Sequence, residues 1–282
     1  MAEIKIPDAL KADVPQTIWG KILSATPVVM TVVATMLAGL ASSEMTKAQY
    51  NRALAAQQQS KTGDQWAFFQ AKRLRSGLQM STLDMLQNTA EVHKLDEATL
   101  ATITLPAPPP APPLDAPIKA AMDAVAAGKT DTEVTPLIEK LNDDALAAAM
   151  RAAAERASAF DAAEQPTNKA VEELEKDSAG KPNHRDVVGA RLRYTAQRYD
   201  AEARLNQGIA YIYELQVRRS NLSADRHERR SQRFFIGMLA AQAAVIIATF
   251  ALAAKQRNLL WTLAAAAGAA AVGFAIYVYL FT

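Results

Sequence analysis

Apolar residues along this chain gather into three runs, residues 22–43, 234–254 and 258–282, none of which contains a charged side chain. A helix rises about 1.5 Å per residue, so roughly twenty apolar residues cover the roughly 30 Å of a bilayer's hydrocarbon. The pattern therefore predicts three membrane-spanning helices. Between the first two runs lies a long, polar, alanine-rich insertion, residues 44–233. Three spans put that insertion and the C-terminus on one side, with the N-terminus and the turn at 255–257 on the other.

Helix breakers divide the rest. Residues 1–21 read as a polar leader containing Pro7 and Pro15, and the first run starts after Lys21, unlike a short secretory signal. Pro27 removes a backbone donor inside the first span and predicts a kink or restart there. Residues 44–88 lack proline and predict one outgoing helix. In it Ala67, Ala71, Leu74, Leu78, Ser81 and Met85 alternate spacings of four and three, the pattern of a short coiled-coil seam. Residues 89–183 form a distal helical region, interrupted by a proline-rich spacer at 105–117. A short helix follows near 118–127, and Thr135-Pro136 predicts the start of another reaching Glu164, where Gln165-Pro166 interrupts it. Gly180 and Pro182 mark a turn. Residues 184–233 return as a second long helix, with Leu205, Ile209, Ile212, Leu215 and Leu222 on one face. The arms match in length and run oppositely, so the expected fold class is all-α: three transmembrane helices bearing a long antiparallel, coiled-coil-like extramembrane insertion.

Composition narrows the chemistry. Cysteine is absent, which excludes disulfides and thiol catalysis. Gly128-Lys129-Thr130 resembles the end of a phosphate-binding loop, but Asp123 stands where its first glycine is required. His93, His184 and His227 are too scattered for a local metal motif. No cofactor, metal or catalytic activity is expected. The net charge is only +2. Basic residues concentrate beside the spans and acidic ones at the far end of the insertion. Arg226, Arg229, Arg230 and Arg233 abut the second span and are expected to meet lipid headgroups rather than nucleic acid. The same bias predicts a cytoplasmic insertion.

Aromatic residues cluster at 64–72, where Trp66 and Phe69 share a helical face; with Asp64 and Lys72 they are expected to dock the returning arm near Tyr211 or Tyr213, or a partner protein. Small residues, notably Ala240, Ala241, Ala243 and Ala244 and those at 264–273, predict close packing of the last two spans. Gln242 is the most polar side chain at membrane depth and is expected to join helices by a hydrogen bond.

The segment Asp64-Gln65-Trp66-Ala67-Phe68-Phe69-Gln70-Ala71-Lys72 behind the first span, and the approach 225–235 to two closing spans, resemble the bacterial membrane-protein family called domain of unknown function 4337. The resemblance covers 17–88 and about 190–282. It implies a multi-pass protein of the bacterial inner membrane with the three-span layout, and no catalytic residues. The expected function is a non-enzymatic integral membrane protein, a self-assembling scaffold or partner-docking stalk whose partners are the lipid bilayer and a second copy or another membrane protein. The alternative is an oligomeric channel or transport accessory built around Gln242.

Overall fold

A computed structural model describes residues 18–253 and 257–281, so most of the expected leader and the turn residues 254–256 lie outside the described residues. The described residues form seven helices and no strand: α1 Ile18–Thr89, α2 Glu97–Thr102, α3 Ala116–Ala126, α4 Asp131–Glu139, α5 Asp143–Ser178, α6 His184–Ala253 and α7 Arg257–Phe281. All-α is the fold class. Two helices, within Ala25–Thr89 and His184–Ala251, are long and apolar enough to cross a membrane, and α7 contains a shorter apolar stretch, Thr262–Val278.

Local chemistry explains most boundaries. Asn142 caps α5 by accepting the Asp144 N–H at 2.8 Å. Gly128 at φ 67° closes α3 and Gly180 at φ 75° turns the chain between α5 and α6, positions where a side chain would be strained. Residues 104–115 carry no helix, and Arg156 Nε donates to the Pro109 carbonyl at 2.6 Å, seating the proline-rich strand of chain on α5.

Two proline readings are corrected, at Pro136 and Pro166. α1 runs through Pro27, α4 through Pro136 and α5 through Pro166. The start expected at Thr135-Pro136 lies instead at Thr130, where Glu133 Oε2 accepts the Thr130 N–H at 3.2 Å, and the chain breaks again before Asp143. A proline inside a helix costs roughly 3 kcal/mol. In α5 that cost is outweighed by burial on both sides of Pro166: Phe160 is fully buried, and Val171 is buried as well.

The described residues divide into two compact units: unit 1, up to Arg52 and from Leu222 onward, and unit 2, Ala53–Asn221. In unit 1 the buried positions of three helices recur every seven residues. They are Ala34, Ala41 and Ala48 on α1; Phe234, Ala241 and Ala248 on α6; and Ala264, Ala271 and Val278 on α7. Alanine at each contact lets helices approach closely, and a seven-residue repeat keeps the contact on one face. Gly268 lies under Met30, whose sulfur would sit 2.9 Å from an added Cβ. A polar clasp ends this packing: Ser231 Oγ donates to the Ala41 carbonyl at 2.7 Å, His227 Nδ1 lies 2.6 Å from Glu44 Oε2, and Arg52 pairs with Glu228.

The outer surface of unit 1 is apolar. Val28, Val32, Met36, Phe235, Ile246, Phe250 and Ile276 are all exposed. Only 22% and 33% of the most apolar stretches of α1 and α6 are buried, unlike core helices of a soluble protein. Ala241 and Ala243 test which face packs. Ala241→Leu is expected to lower the detergent-solubilised melting temperature by the equivalent of about 1–3 kcal/mol through overpacking, and exposed Ala243→Leu to leave it unchanged.

In unit 2 the seven-residue spacing recurs, with Ala55, Thr62 and Leu83 buried on α1 and Ala196, Ala203, Ala210 and Val217 buried on α6. The expected seam is not part of this buried set. Ala67, Ala71, Leu74, Leu78, Ser81 and Met85 are all exposed, because α1 turns its opposite face inward.

Candidate functional site

Unit 2 holds a polar network where α1, α5 and α6 meet. Glu202, 6% exposed, pairs with Lys72 and lies 3.4 Å from Arg198 Nε. Arg198 Nη1 and the Tyr194 hydroxyl both donate to Asn168 Oδ1, at 2.8 and 2.6 Å. Asn168 Nδ2 reaches Glu164 Oε1 at 3.4 Å, while the other carboxyl oxygen of Glu164 is buried with no hydrogen-bond partner among the described residues. Glu164 is 7% exposed. Burial first, and then the negative charge of Glu202, push its carboxyl up to about 7. The same causes raise Asp161 one turn earlier, and burial beside Glu164 pushes the Tyr194 hydroxyl up to about 12. A carboxyl poised near neutrality and half-satisfied is a group that binds and releases a proton.

A cleft of about 560 Å³ lies in the same unit. Its walls are the end of α1, residues 92–95, α2 and the start of α6. Leu83, Leu100, Ile103 and the Tyr194 ring supply apolar surface, and Lys94, Arg193, His93 and Asp186 supply polar groups. Asp186 accepts the His93 backbone N–H at 2.7 Å. Gly189 permits this closure: an added Cβ would meet Val92 Cγ1 at 2.8 Å. A second cavity of similar volume, lined by Ser76, Pro108 and Arg156, has its carboxylate, Asp200, paired with Arg204 at 3.0 Å and with Arg73.

Of the residues singled out in the sequence, Trp66 meets Phe69 and Tyr211 edge-on, at ring-centroid distances of 5.6 and 5.2 Å, and Lys72 joins the buried network. Asp64 is exposed and has no partner among the described residues. Arg226 and Arg229 are exposed, whereas Arg230 and Arg233 are half-buried. Gln242 is exposed on α6, between outward-facing Leu239 and Ile246, with no hydrogen-bond partner among the described residues. Sequence reasoning missed Glu164, Tyr194, Asn168 and Arg198. Asn168 and Glu164 are four residues apart on α5, and Tyr194 and Arg198 four apart on α6, but such spacing is common on solvated helices.

Residues 19–104 match the family described as Domain of unknown function (DUF4337). The DUF4337 segment takes in nearly all of α1 and all of α2, including 64–72, one wall of the cleft and Lys72. The stretch from 190 onward, read as similar to the same family, lies outside the match. No curated protein and no solved structure matches the chain.

Proposed function

We propose that this chain is a non-enzymatic protein of the bacterial inner membrane that crosses the bilayer three times, carries its insertion in the cytoplasm and assembles with a second copy of itself through α1. The observation that carries the self-assembly is the seam Ala67–Ala71–Leu74–Leu78–Ser81–Met85, which keeps heptad spacing while remaining exposed. A heptad stripe is complementary to its own copy, since knobs at alternating spacings fit the holes between them. With Phe68 beside it, the stripe offers four large apolar side chains, each covering on the order of 100 Å² when packed, and two alanines. Two copies would bury roughly 1,000 Å², near the lower bound for a specific interface.

Membrane embedding is supported by the apolar outer surface of unit 1, which a bilayer would cover and water would not. In such a setting Gln242 is an unsatisfied amide, and a second copy is the source of a partner. A channel is the weaker reading, because Gln242 points away from the three-helix packing and the described residues provide no polar lining between those helices.

Two measurements test this. The mass of the full chain in nanodiscs, corrected for lipid, is expected to correspond to two copies of 30.4 kDa; a monomer at all concentrations would remove self-assembly. A cysteine introduced at exposed Lys181 is expected to resist an impermeant maleimide in intact cells and to react after lysis. Labelling in intact cells would reverse the sidedness.

A further inference from the structure

We infer that the cleft of unit 2 binds an amphipathic anion, a hydrocarbon chain ending in a carboxylate or phosphate. Its volume of about 560 Å³ falls within the roughly 300–1,000 Å³ of small-molecule sites. The apolar part of the ligand is defined by the walls. Leu83, Ile103 and Tyr194 are buried beneath the cleft and Leu100 flanks them, so a polar ligand body would lose hydration without replacement. The charge of the head follows from the rim. Lys94 and Arg193 both line the cleft, and neither is paired with an acidic side chain among the described residues. The rim also carries one carboxylate, Asp186, which accepts the His93 N–H, so the cationic groups outnumber the anionic ones two to one. Two uncommitted cations above an apolar floor favour an anionic head and disfavour a cationic one.

The walls are also held in place before any ligand arrives. Gly189 admits Val92 against α6, the His93–Asp186 bond fixes the 92–95 turn, and α2 is capped by Asp96, which accepts the Thr99 N–H at 2.9 Å. Preorganisation of this kind lowers the ordering cost of binding.

The chemistry is shared by free fatty acids and anionic phospholipids, so the test uses both. The full chain in nanodiscs is photolabelled with a diazirine fatty acid and, separately, with phosphatidylglycerol bearing a diazirine in its acyl chain, and the labelled peptides are mapped. Labelling by one probe within residues 83–105 or 186–197 identifies the source. Excess octanoate is expected to suppress it at least about tenfold, and octyltrimethylammonium, a cation with the same chain, to leave it in place. Charge reversal by Lys94→Glu with Arg193→Glu is expected to abolish labelling while the circular dichroism spectrum is unchanged. Leu100→Trp, which fills the floor without altering charge, is expected to do the same. Labelling by neither probe at these peptides, equal competition by the cation, or full labelling in the charge-reversed protein would overturn the inference. None of these readouts depends on the copy number of the protein, so failure here and failure of self-assembly are separable.

Discussion

Raising the pH from about 5 to about 8 is expected to destabilise unit 2, and Glu164→Gln is expected to remove most of that loss. Glu164 takes up its proton near 7 in the folded chain and near the ordinary 4.5 when unfolded. Between those values the folded state binds more protons than the unfolded state, so stability is full below about 4.5 and falls as pH rises through about 7. The interval, at about 1.4 kcal/mol per pH unit, sets about 3 kcal/mol as the upper bound of the effect, with solvent screening reducing it. Burial of the carboxyl is the first reason the proton is favoured; Glu202 from α6 and Asp161 from its own helix then repel a second negative charge, while Arg198 already serves Asn168 and Lys72 already serves Glu202. A glutamine keeps the shape and the acceptor for Asn168 while carrying no charge. Thermal unfolding of the solubilised chain, followed by circular dichroism at several pH values, measures the effect. A flat profile in the wild type, or an equal slope in Glu164→Gln, would show that the carboxyl is not the titrating group.

Replacing Leu74 and Leu78 together by glutamate is expected to weaken self-association by roughly a hundredfold or more, because two buried apolar knobs become like charges facing their own copies. Both residues are exposed in the single chain, at 66% and 57%, so the chain itself is expected to keep its helical fold. That contrast is the point of the experiment. A helix whose leucines packed internally would lose stability, whereas one whose leucines pack on another copy loses only mass. Gln59→Glu, exposed on a different face of α1, serves as the charge control and is expected to keep the wild-type mass. Wild-type mass in the Leu74/Leu78 variant would move the interface elsewhere, with the exposed face around Gln242 the next place to test.

The helical class was legible from composition and hydropathy. The turn at Gly180 and the proline-rich break ahead of α3 follow directly from backbone chemistry. The errors have a common origin. Pro136 and Pro166 read as interruptions because local cost was weighed without the burial of Val134, Ile138, Phe160 and Val171 around them. The heptad stripe at 67–85 was legible as a stripe, but not that it stays exposed within the single chain. The face used carries buried Ala55, Thr62 and Leu83, with Trp66 meeting Tyr211 of α6 edge-on.

The sequence alone, then, determined that this chain is helical and where its apolar stretches begin and end, because charge, hydropathy and helix breaking act over a few residues. Tertiary structure decided which side of each helix faces inward, that Glu164, Asn168, Tyr194, Arg198, Glu202 and Lys72 converge, and that Lys94 and Arg193 share a cleft with Leu83 and Ile103. Those residues come from α1, the turn after it, the end of α2, α5 and α6, segments far apart in sequence, and only the way these elements pack brings them together.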